Sequence, residues 1–197
     1  MILLQRSLYQ SATLRLDSVD LEKDPSIEAA WTEADTDLAD FYRIKASDPL
    51  RPKAAFEVRQ FYADMLKQME DARDVVHFSV RTRQEERLIG FVHFHRILWV
   101  HRSAVLVMGF GERDYRQACL AETLDLCLRF AFNEMNLYRI TVDVPEYDQA
   151  LMETLQAAGF RQEVRLRHML YRNGRYWDNV LMGLLESEWA GRGEVEG

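Results

Sequence analysis

The chain predicts an α+β fold: a central mixed sheet, mostly antiparallel, flanked by helices. Three observations carry this. Between Val76 and Phe110 apolar and polar residues alternate, and turn residues break the run twice, so three hairpin-linked strands follow one another. Next, Ala104–Phe110, an apolar helix and Arg139–Val144 stand in the order strand, helix, strand. That order closes as a right-handed crossover with its two strands parallel. Last, Arg172-Asn173-Gly174-Arg175 separates two further strands, and Asn-Gly accepts the positive φ angles of a tight hairpin turn.

Composition bounds the function. With 197 residues, one domain over 1–189 is expected, followed by a disordered tail over 190–197. Hydrophobic residues at 48% and charged residues at 29% match an ordinary soluble globular protein. No apolar run reaches the ~18 residues of a membrane helix. The start, MILLQRSLYQ, has no basic n-region and no small-residue cleavage site, so a secretory leader is not expected and the cytoplasm is. A formal net charge of -7 argues against non-specific nucleic-acid binding and favours a cationic partner. Cys119 and Cys127, placed on one helix, stand about 12 Å apart along its axis, too far for a disulfide, and read as reduced thiols.

In order, Thr13–Val19 alternates with Leu14 and Leu16 on one face, a half-buried strand. Asp24-Pro25-Ser26 opens a helix with Ile27, Ala30 and Trp31 as its apolar face. Leu38, Phe41 and Tyr42 suggest a second short helix, and Ser47-Asp48-Pro49-Leu50-Arg51-Pro52 breaks it. From Pro52 to Ala72, Val58, Phe61, Tyr62, Met65, Leu66 and Met69 recur at three and four, a helix with a core face. Strands follow around Val76–Arg81, over Leu88–Val100 and over Ala104–Phe110, with turns at Gln84-Glu85-Glu86 and His101-Arg102-Ser103. A helix beginning near Gln117 is apolar over most of its surface and therefore packs against a sheet. Strand Arg139–Val144 ends at Pro145, helix Asp148–Ala158 stops at Gly159, and strands Glu163–Tyr171 and Asn179–Leu185 close the chain.

With this element order on the page, three stretches carry a resemblance. They are GERDYR before the long helix, RFAFNEMNLYRITVDV after it, and LMETLQAAGFRQEVRLRHMLYRNGRYWDNVLMGLLESEW at the end. The chain resembles the GCN5-related N-acetyltransferase (GNAT) family, in its branch of ribosomal-protein and spermidine N-acetyltransferases. The resemblance implies the acyl-CoA N-acyltransferase fold, its sheet splayed where two parallel strands part. It implies acetyl-CoA as co-substrate, with no metal, and direct transfer of acetyl to a primary amine in a ternary complex. The acceptor is then an amine-bearing small molecule, such as a polyamine, or a protein N-terminus, with no nucleic-acid and no membrane partner. A homodimer is permitted by the exposed edge of the final hairpin.

Carried over residue by residue, the resemblance places the pantetheine arm beside the backbone of Met108 and Phe110 and the pyrophosphate on Arg116, Gln117, Ala118, Cys119, Leu120 and Ala121. The family's loop there is Gln/Arg-x-x-Gly-x-Gly/Ala; Arg116 and Ala121 fit, and Cys119 replaces the middle glycine. Main-chain N–H groups at such a helix start suit an anion whatever the side chain. Asp148 stands where an Asn often touches the cofactor, Val105 where a Glu serves as base, and Leu155 where a Tyr serves as acid. The catalytic residues are therefore unassigned; Glu112, His93 and Asp143 are candidates to assist the amine through a water. The alternative is a catalytically silent domain of this fold that binds a ligand or partner.

Two rival chemistries are weaker. His93 and His95 share a strand face with His101 near, but no Cys or carboxylate stands at ligand spacing, so no metal site is expected. Cys119 near Arg113, Arg116 and a helix start has the setting of a reactive thiol, yet no His is linked to it, and lining the loop is the preferred role. Trp31, Phe41, Tyr42 and Trp99 are read as packing residues before acceptor-groove residues.

Overall fold

A computed structural model describes residues 9–32 and 51–190. The elements are β1 (Leu14–Asp17), α1 (Asp24–Trp31), α2 (Ala55–Asp71), β2 (Val76–Thr82), β3 (Leu88–Leu98), β4 (Ser103–Phe110), α3 (Arg113–Arg129), a π-helical turn (Phe130–Glu134), β5 (Arg139–Pro145), α4 (Gln149–Ala157), β6 (Arg161–Arg172), β7 (Arg175–Leu185) and α5 (Glu186–Ala190). The strands run in the order β1-β2-β3-β4-β5-β7-β6. The mixed, mostly antiparallel sheet with one parallel pair is the expected one. The expected short helix around Leu38–Tyr42, the break at Ser47–Leu50 and the tail after Ala190 lie outside the described residues. The described residues fall into two compact units, one within 9–93 and 108–130, the other within 94–107 and 131–190.

In the first unit, β1 pairs antiparallel with β2, Leu14 opposite Thr82 and Leu16 opposite Val80. Leu14 and Leu16 face the core, as their alternation requires. Ala29, Val58, Tyr62, Met65 and Val75 form an apolar cluster of α1, α2 and the entry to β2. The apolar face expected on α1 is corrected: Ile27 and Ala30 are exposed, while Asp24, Glu28 and Ala29 are buried with Trp31. The acids are inward because partners await them. Asp24 accepts from Ser79 Oγ at 2.8 Å and from Arg81 Nη2 at 2.6 Å, and Glu28 accepts from the Tyr62 hydroxyl. β2 is covered on both faces. His77 and Ser79 are buried on one, and Phe78 meets Tyr9 and Phe130 on the other.

In the second unit, β4 runs parallel to β5 with Ser103, Ala104 and Val105 opposite Arg139, Ile140 and Thr141. β5 pairs on its other side with β7 along its whole length, from Arg139–Leu185 to Pro145–Asn179. Ile140, Val142 and Val144 are buried and Thr141 and Asp143 are half-buried, so one face of β5 is core and the other is open. α4 buries Leu155, and Gly159 ends it at φ 97. The hairpin turn carries Asn173 at φ 51 and Gly174 at φ 77, as Asn-Gly predicts, and β7 starts four residues earlier than Asn179.

Candidate functional site

The strand–turn–helix from Met108 to Ala121 lies in the first unit. At its turn, the Gly111 N–H donates to the Ile89 carbonyl at 3.0 Å. A Cβ on Gly111 would stand 1.9 Å from the Trp31 indole, so only glycine allows Trp31 to cover this bend. Glu112 is the extended N-cap of α3, at φ -136 and ψ 139, and no side chain caps the helix. Its carboxylate is held at 2.5 Å by Arg87 instead.

The helix does not begin near Gln117. It begins at Arg113, and Arg116 N–H already donates to the Glu112 carbonyl at 3.0 Å. Nothing in Glu-Arg-Asp-Tyr-Arg interrupts a helix: there is no glycine or proline, and Arg and Glu are good helix formers. Arg116, Gln117, Ala118, Cys119, Leu120 and Ala121 are therefore helical. The N–H groups left without an intrahelical acceptor are those of Glu112, Arg113, Asp114 and Tyr115, one turn earlier. Gln117, Ala118 and Ala121 are exposed, whereas Cys119 and Leu120 point into the packing. Met108 is half-buried at the end of β4 and Phe110 is a core residue at 1% exposure.

The reactive-thiol reading of Cys119 fails on environment. Burial raises its pKa, and the Glu122 carboxylate adds to the rise. Cys127 is raised likewise, by burial first and then by Asp125. Both thiols are free. His93 is buried against the His77 ring at 5.6 Å, and His77 stacks on Phe91. Burial alone pushes His77 down to about 3, so its imidazole is neutral. Among the described residues no group of three His, Cys, Asp or Glu is placed to hold a metal ion.

In the second unit Asp148 is the N-cap of α4, and its Oδ1 accepts the Leu151 N–H at 3.1 Å. Val105 is half-buried on β4 opposite Thr141, and Leu155 is fully buried, so neither position supplies an acid or a base. Asp143 accepts from Asn179 Nδ2 at 3.0 Å on the open face of β5. Asn179 was not singled out from sequence. Its pairing depends on the β5–β7 register, which a single strand does not encode. The buried acids of α1 were missed too, although Asp24 and Glu28 stand at i,i+4 and so share one helix face.

Comparisons with known proteins bear on the family and the fold. The model of the acetyltransferase (GNAT) domain matches residues 14–161. A probable N-acetyltransferase of Bacillus subtilis, YjcK, is 26% identical over 149 residues, 75% of this chain and 80% of the relative. The spermidine N(1)-acetyltransferase of Vibrio cholerae is 25% identical over 138 residues, 70% of this chain and 77% of the relative. Among solved structures, mutant forms of the spermidine/spermine N-acetyltransferase SpeG from Vibrio cholerae share the fold with a TM-score of 0.74 at 22% identity, covering 93% of this chain and 99% of that one. A probable acetyltransferase gives a TM-score of 0.76 at 18% identity, covering 91% and 96%.

Proposed function

We propose that this chain, which belongs to the GNAT acetyltransferase family, transfers an acetyl group from acetyl-CoA to a primary amine. One observation carries the proposal beyond family membership. The parallel ladder of β4 and β5 spans only Ser103–Val105 and Arg139–Thr141, while β5 runs on to Pro145. The β4–β5 register ends at Val105 and Thr141, and β5 backbone beyond that pair suits the amide-rich pantetheine arm, as the family uses it.

In the first unit, Met108 and Phe110 offer the end of β4, and the uncapped start of α3 offers N–H groups to the pyrophosphate. The residues fit an anion in N–H direction. Exposed Arg113 and half-buried Arg116 supply positive charge there, against Glu112 and Asp114. Arg116–Ala121 serve as the helix that carries this start. In the second unit, Asp148 holds the start of α4.

The acceptor class we favour is a small polyamine-like amine. The name of the Vibrio cholerae relative and the net charge of -7 both support a cationic substrate. A protein N-terminus is the other acceptor of the same chemistry. Cytoplasmic residence, a single domain over 1–189 and a homodimer complete the reading.

A second reading has its own observation. A helix runs through the segment where the family has a glycine loop, and Val105 and Leu155 replace the usual base and acid. These favour a silent domain that binds without transfer. Calorimetric titration with acetyl-CoA, followed by thiol release over a panel of amines, separates the two. Saturable binding with thiol release supports the enzyme; binding without release for every amine supports the silent module. No heat at high micromolar acetyl-CoA removes acetyl-CoA from the proposal.

A further inference from the structure

With Val105 in the family's base position, the chain needs another group to receive the acceptor amine. We infer that Asp143 is that group, positioned by Asn179; this rests on the acetyl-transfer reading above. Val105 and Thr141 are aligned in the parallel pair, so their side chains share a face. Asp143 follows Thr141 by two residues and therefore lies on the same face, about 7 Å further along the strand, just past the last β4–β5 pair. The burial of β5 agrees, with Ile140, Val142 and Val144 inward and Thr141 and Asp143 half-buried on the open face.

Four acids of this unit rest on arginines, and Asp143 differs from them. Glu146 and Asp178 both meet Arg165, at 2.8 and 3.0 Å, Glu163 meets Arg139, and Glu188 meets Arg161 at 3.1 Å. Asp143 has no arginine or lysine partner among the described residues. It accepts from a neutral amide, Asn179 Nδ2, at 3.0 Å. Asn179 itself is 1% exposed, and its Oδ1 has no hydrogen-bond partner among the described residues. Buried acceptors are ordinarily matched with donors. A carboxylate without a cation beside a buried carbonyl oxygen without a donor is the environment that a primary ammonium satisfies, since its N–H groups serve both.

The chemistry follows. The ammonium is drawn to Asp143 and gives one proton to solvent. The nitrogen lone pair then adds to the thioester carbonyl carbon, forming the C–N bond, and one of the two protons on that nitrogen passes to the Asp143 carboxylate while the other stays in the amide product. The C–S bond breaks, its electron pair leaves on sulfur, and the sulfur takes a proton from solvent, to which Asp143 later returns its own. Asp143 is thus the catalytic residue. Asn179 is a positioning residue that fixes its orientation.

The test uses the full chain and three probe amines, spermidine, n-butylamine and a hexapeptide with a free N-terminus, with amine affinity read at saturating CoA and turnover at saturating acetyl-CoA. Wild type is first titrated with acetyl-CoA, and a failure to bind there overturns the function proposed above rather than this assignment. Asp143→Asn keeps the size and the hydrogen bond to Asn179, and near-ultraviolet circular dichroism confirms its fold. The expected result is an acetyl-CoA affinity within twofold of wild type, with amine affinity down at least tenfold and kcat/KM down about a hundredfold. Asn179→Ala raises the amine KM more than it lowers kcat. Wild type that binds acetyl-CoA but none of the three amines, or Asp143→Asn with amine affinity within threefold of wild type, overturns the assignment.

Discussion

Asp24 shows what a single residue does in this core. Its side chain is fully buried and rests on Arg81, Ser79 and the Asp20 N–H, the last at 2.9 Å. Removing it leaves the Arg81 guanidinium, itself 12% exposed, without its buried carboxylate. Asp24→Ala is expected to lose about 3–5 kcal/mol in urea unfolding. His77 makes stability depend on pH. Its folded pKa lies near 3, below the unfolded value of 6.5, because burial penalises the cation. The unfolded chain therefore binds the extra proton between those values. Stability is whole above about pH 6.5 and falls as pH drops toward 3, by at most about 1.4 kcal/mol per pH unit. In His77→Phe this part of the slope should vanish in denaturation curves taken from pH 7 to 4. Neither effect was legible from sequence, where His77 and Ser79 only alternate with Val76, Phe78 and Val80 along a strand. They are dry because α1 and α2 bring Asp24 and Tyr62 over that face.

At the scale of elements, α3 carries the sharpest difference from expectation. Family resemblance placed a phosphate loop over Arg116–Ala121, but local propensity extends the helix back to Arg113. Leu120, at 5% exposure, is therefore a packing residue, and an aspartate there would unsettle the helix rather than report on a phosphate. The informative change is in the exposed first turn: Arg113→Glu is expected to weaken acetyl-CoA binding at least tenfold by calorimetry with the melting temperature little changed. The Gly111 bend is tighter. Gly111→Ala drives a methyl into the Trp31 indole and should cost about 1–3 kcal/mol in chemical denaturation. Gly174 tests the opposite case, since a Cβ there meets nothing within 4 Å but the φ of 77 remains. Gly174→Ala should cost about 1 kcal/mol and leave acetyl-CoA affinity unchanged. The hairpin was legible because its turn chemistry is local. The start of α3 lies a turn before the family's loop because residues 112–116 hold neither glycine nor proline to stop a helix.

For the whole molecule, ligand linkage offers the broadest check. Acetyl-CoA at a hundred times its dissociation constant should add about 2.7 kcal/mol to the stability of the chain. An unchanged melting temperature under those conditions would count against the proposed cofactor. Sequence by itself determined the succession of strands and helices, the parallel crossover and the closing hairpin, because periodicity, breakers and turn residues act over a few positions. It determined the family as well, through stretches on either side of α3. Tertiary structure alone decided which acids are buried, that Cys119 is shielded, and that Asn179 reaches Asp143 across the β5–β7 register. The physical reason is that burial and hydrogen-bond partners depend on residues far apart in the chain. Asp24 and Arg81 are 57 positions apart and Asp143 and Asn179 are 36, so only the folded sheet brings each pair within a hydrogen bond.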